Sequence, residues 1–66
     1  MNQYIKAIAP IVHKLPKHKR KAAIEFADSY FETYLDKLNS FDEFSTQVNY
    51  EAAINATVAE LEWLTH

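Results

Sequence analysis

The side chains with the most chemistry stand close together in the stretch HKLPKHKRK, His13 to Lys21, which holds five of the chain's seven lysines and arginines. A metal site would need its ligands to converge. His13 and His18 are five residues apart with Pro16 between them, so no single helix face presents both, and His66 is the last residue. A second concentration, Glu25, Asp28, Glu32 and Asp36, has the spacing of a carboxylate ladder along one helix. It lacks the Glu-x-x-His pairs of di-iron bundles and falls opposite the apolar stripe, which makes it a solvated face. The sequence also has no cysteine, no glycine-rich phosphate loop, no Gly-x-Ser-x-Gly and no His-Glu-x-x-His. These absences leave catalysis the weakest class; no catalytic, cofactor or metal residue is assigned, and a non-enzymatic protein is expected.

Charge is segregated. Residues 1–21 carry six cations and no acid, whereas residues 22–66 carry nine acids and one lysine, for a net charge of −2. Lys14, Lys17, His18, Lys19, Arg20 and Lys21 form a basic patch that could reach several phosphates, so a small dimeric nucleic-acid-binding regulator is the alternative function. Against it, the patch has only His13 and His18 to stack on or contact bases. A charged corner between two helices, open to an acidic protein partner or a symmetry mate, is the first reading. Basic residues at the start of a helix oppose its dipole by roughly 0.3–1 kcal/mol each, a local cost that invites a functional reason.

The elements that must carry these groups are helices. Glycine is absent and there are two prolines, which leaves little material for tight hairpins. Met1, Tyr4, Ile5, Ile8, Ile11, Val12 and Leu15 recur at helical spacing, a first helix either kinked at Pro10 or beginning there. Pro16 ends it and opens a second helix from Lys17 to about Leu38. In that helix Ala23, Phe26, Ala27, Tyr30, Phe31, Tyr34 and Leu38 form a stripe that Ile24 and Leu35 widen to nearly half the girth. An arc so wide predicts partners on two sides: helices 1 and 3, or a second chain.

Ser40-Phe41-Asp42-Glu43 matches a capping box and predicts a helix start there. Phe41, Phe44 and Val48 share one face, but Tyr50, Ile54, Val58, Leu61 and Leu64 lie on another, a phase jump that predicts a break near 45–49 with Asn49 capping a last helix from Tyr50. The expected fold is all-α: one domain over 1–66, a small three-helix bundle, or four segments if the break is real, with a long central amphipathic helix.

Sixty-six residues bury only about 60% of the unfolded chain's surface, and without disulfides the stability must come from helix packing or self-association. The wide stripe of helix 2 is more apolar surface than so short a chain can cover, so a homodimer is expected. No apolar run approaches the ~20 residues that span a bilayer, no leader pattern opens the chain, and cysteine is lacking, so a cytoplasmic protein with no membrane contact is expected. Function is read as binding and occluding a partner protein. The expected contact residues are Phe26, Phe31, Trp63 and Leu64, with Asp28, Glu32 and Asp36 beside them.

Overall fold

The structure, a computed structural model, describes residues 2–65; Met1, expected on the first stripe, and His66, set aside as a metal ligand, lie outside the described residues. Three helices follow one another: α1 (Gln3–His13), α2 (Lys17–Phe41) and α3 (Thr46–Leu64). They form the three-helix all-α bundle that the periodicity predicts. Its core is Tyr4, Ile8 and Ile11 of α1, Ala27 of α2, and Ile54 and Leu61 of α3, with Ala7, Phe31, Tyr50 and Val58 packed around them.

α1 begins at Asn2, whose side-chain carbonyl accepts from the Tyr4 amide at 2.8 Å and so satisfies one of the helix's orphan donors. Pro10 lies inside the helix and is exposed. The missing hydrogen bond therefore falls on the solvent side, and Ile8, Ile11 and Val12 remain a continuous buried stripe. Of the two readings of Pro10, a helix that passes through it holds, and a start at Pro10 does not.

The chain lacks glycine, the usual left-handed residue at a helix end, and no described residue has positive φ. The α1–α2 corner turns on Pro16 in polyproline-like geometry, with φ −55° and ψ 146°, and α2 ends on Asp42, which is extended. Two boundary expectations fail here. Ser40 does not cap a new helix: its hydroxyl donates to the Asp36 carbonyl at 2.9 Å, a bond made inside α2, which runs on to Phe41. Asp42 closes the turn instead, accepting from the Phe44 amide at 3.1 Å and from the Ser45 hydroxyl at 2.6 Å. Those two bonds, the hydroxyl first, hold its carboxyl below the usual carboxylate range. The break at 45–49 moves with it: the interruption is 42–45, and α3 starts at Thr46 and not at Tyr50.

Asn49, expected as a cap, is buried within α3. Its amide donates to the Asn39 side-chain carbonyl at 2.9 Å and to the Asp42 backbone carbonyl at 2.8 Å, tying the start of α3 to the end of α2. A buried amide so satisfied fixes the register of the antiparallel pair.

Two phenols tie α1 to the hairpin. Tyr4 donates to Asp28 Oδ1 at 2.7 Å and stacks on Phe31 with ring centroids 4.4 Å apart. Tyr50, edge-on to Phe31 at 5.5 Å, donates to the Asn2 side chain at 2.8 Å. Each aromatic pair adds about 0.5–1.5 kcal/mol beyond the area it buries. No helix among the described residues is long and apolar enough to cross a membrane.

Candidate functional site

Of α2's long apolar arc only Ala27 is fully buried. Phe31, expected at the docking surface, turns inward between Tyr4 and Tyr50 and serves the core. Phe26 and Leu64 are exposed and line a groove with Leu15, Ala23 and Leu61 where the start of α2 meets the end of α3. Trp63 is 74% exposed. The two most exposed large apolar residues, Phe41 at 91% and Phe44 at 88%, stand around the α2–α3 turn and were not among the expected contact residues; nor was Val48, at 66% next after Trp63. Their signal was present in the phase jump, which marks apolar residues that the core does not use.

The acidic ladder divides. Asp28 is engaged by the Tyr4 hydroxyl, while Glu25, Glu32 and Asp36 are exposed on the same flank. Burial, then the hydrogen bond to Asp28 and that group's charge, push the Tyr4 phenol above its ordinary range. Asp28 is thus an anchor for α1 as well as a member of the acidic surface.

The basic corner divides too. Lys14, Lys17, His18, Lys19 and Lys21 are exposed. Arg20 instead folds back, donating from Nε to the Leu15 carbonyl at 3.1 Å and from Nη2 to the His13 carbonyl at 3.2 Å. It closes the C-terminal end of α1, where carbonyls lack helical partners and a cation is favoured. This is the compensation for a cation in the first turn of α2. Arg20→Ala should destabilise the fold by about 1–2 kcal/mol in urea titration, and Lys19→Ala, one residue away and exposed, should stay within about 0.5 kcal/mol.

An open groove of about 430 Å³ runs between α1 and α2, walled by Ile5, Ile8, Val12 and Ile24 with Asp28 at its edge. It is of ligand size, but Ile5 and Ile24 leave it open to solvent. Among the described residues no three His, Asp or Glu side chains are grouped closely enough to hold a metal ion. No protein-family model, curated protein or solved structure matches the chain.

Proposed function

We propose that this protein is a non-enzymatic interaction module that binds and covers a surface of a partner protein, acting as a homodimer in a reducing cytoplasm. One observation carries the reading: Phe41 and Phe44 stand almost wholly in water at the α2–α3 turn. A monomer gains nothing from apolar side chains so placed, whereas aromatic residues are the usual anchors of binding surfaces. Phe26, Trp63 and Leu64 supply further exposed apolar area, and Glu32 and Asp36 add a charged rim suited to a basic neighbour.

Affinity capture from native lysate, comparing the natural chain with Phe41→Ser/Phe44→Ser, tests this. The double variant removes no buried group, so it should keep its helical circular dichroism and lose the captured protein by about tenfold or more, the cost of two anchors. Equal capture by both chains contradicts the proposed surface.

The four exposed lysines of the corner, with His18 among them, favour one second reading, a nucleic-acid-binding regulator. It requires measurable duplex or single-strand affinity at about 50 mM salt that falls steeply as salt rises, because each neutralised phosphate releases counterions. Failure to bind at that salt removes it.

A further inference from the structure

α3 has a second apolar face. At 100° per residue, Val48, Ala52, Ala56, Ala59 and Trp63 fall within about 80° of arc, turned well away from Tyr50 and Ile54, which face α1 and the core. Val48 and Trp63 are heavily exposed, Ala59 is exposed, and Ala52 and Ala56 are half-buried. Alongside it on α2, Phe26, Ser29, Thr33, Lys37 and Ser40 form an exposed row on the side opposite Asp28, which α1 holds. The two rows therefore share the face of the α2–α3 hairpin that α1 leaves uncovered.

The α3 face is self-complementary when reversed. Val48 and Trp63 are symmetric about the midpoint between Asn55 and Ala56, and so are Ala52 and Ala59. The row on α2 is centred near Thr33. Asn39 bonds Asn49 across the hairpin; six residues back from Asn39 is Thr33 and seven on from Asn49 is Ala56. The two midpoints therefore stand at nearly the same height, about 9–10 Å from that bond at 1.5 Å per residue. One two-fold axis can serve both helices.

We propose that this face is closed by a second copy of the chain, its two-fold axis running perpendicular to the helices near Thr33 and Ala56. α3 then packs antiparallel on the second copy's α3, each Trp63 covering the other copy's Val48, with alanines at the centre where the backbones approach most closely. Lys37, the one cation after residue 21, comes opposite the second copy's Ser29, between its Glu25 and Glu32 one turn to either side. The area is sufficient. α3 is about 28 Å long and two packed helices are about 20 Å wide, a footprint of roughly 570 Å² per copy and about 1,100 Å² together, just over the ~1,000 Å² a specific interface requires. The inference rests on the interaction-module reading and names one occupant of its surface.

The chain has no cysteine, so single cysteines report the geometry directly. Ala56→Cys should oxidise to a disulfide-linked dimer. Val48→Cys should cross-link efficiently only when mixed with Trp63→Cys, and Phe44→Cys, off the face, should not cross-link. In sedimentation equilibrium the natural chain should associate at micromolar concentrations, and Ala59→Arg and Trp63→Glu, both at exposed positions, should each weaken association about tenfold or more with helicity unchanged. A monomer up to millimolar concentration overturns the proposal. So does a dimer that cross-links at Phe44 and not at Ala56. Either result leaves the Phe41/Phe44 capture comparison standing, and loss of that comparison with an intact dimer overturns the partner reading alone.

Discussion

Leu61→Ala is expected to leave the protein largely unfolded at room temperature. Leu61 is 1% exposed and sits in the core with Tyr4, Ile8, Ala27 and Ile54. Truncating a fully buried leucine costs about 2–5 kcal/mol, the lost transfer energy plus the cavity left behind. A single core in a chain this short supplies on the order of 3–5 kcal/mol in total, so the substitution removes most of it. Leu64→Ala, three residues later and exposed, should cost less than about 0.5 kcal/mol. Urea unfolding followed by circular dichroism separates the two; equal losses would mean that α3 is rotated from the placement described.

The second large effect belongs to Tyr4. Replacement by alanine removes the stack on Phe31 and the bond to Asp28 together, with an expected loss of about 3–5 kcal/mol. Tyr4→Phe keeps the ring and isolates the hydrogen bond. Because Asp28 is exposed and water can replace the lost donor, that variant should lose only about 1 kcal/mol. The pH dependence has a definite sign. The folded phenol holds its proton more tightly than an unfolded one, so its contribution is complete below about pH 10, the unfolded value, and is lost at higher pH as the unfolded chain releases the proton and the folded phenol is then forced to ionise. The stability gap between the natural protein and Tyr4→Phe should therefore narrow above about pH 10. A gap unchanged there would show that the hydroxyl is neither shielded from water nor bonded to Asp28.

Much of the bundle is readable along the chain. Tyr4, Ile8, Ile11 and Val12 recur at helical spacing and are the buried residues of α1, with Pro10 on the far side as the stripe requires. α2 is unmistakable in the middle. Its end is not, because a serine or asparagine near a helix terminus can serve several geometries. The Ser40 hydroxyl could cap a new turn or bond back to Asp36, and only the packing of α3 decides. Asn49 likewise could cap from outside or bond from within, and its partner Asn39 is ten residues away.

α3 misleads for a related reason. It is apolar on two faces, so periodicity alone cannot say which is inward, and the structure buries Asn49 and Thr57 while Val48 and Trp63 stand outside. The candidate surface was half legible. Phe26, Trp63 and Leu64 are exposed as expected; Phe31 turned inward because Tyr4 and Tyr50 offer it two ring contacts that no local pattern records. The basic cluster was visible as charge, but the separate task of Arg20 needs the α1 carbonyls brought within its reach.

The proposed dimer puts the outward face of α3 against a second copy, and Trp63, the sole tryptophan, reports whether that face is covered. Its fluorescence emission and acrylamide quenching can be followed from nanomolar to millimolar protein. The indole should be solvent-exposed at high dilution and should shift to shorter wavelength and resist quenching as the chains associate, with the same midpoint as sedimentation. An indole shielded already at the lowest concentration, or one still open to water at the highest, would contradict the proposed dimer.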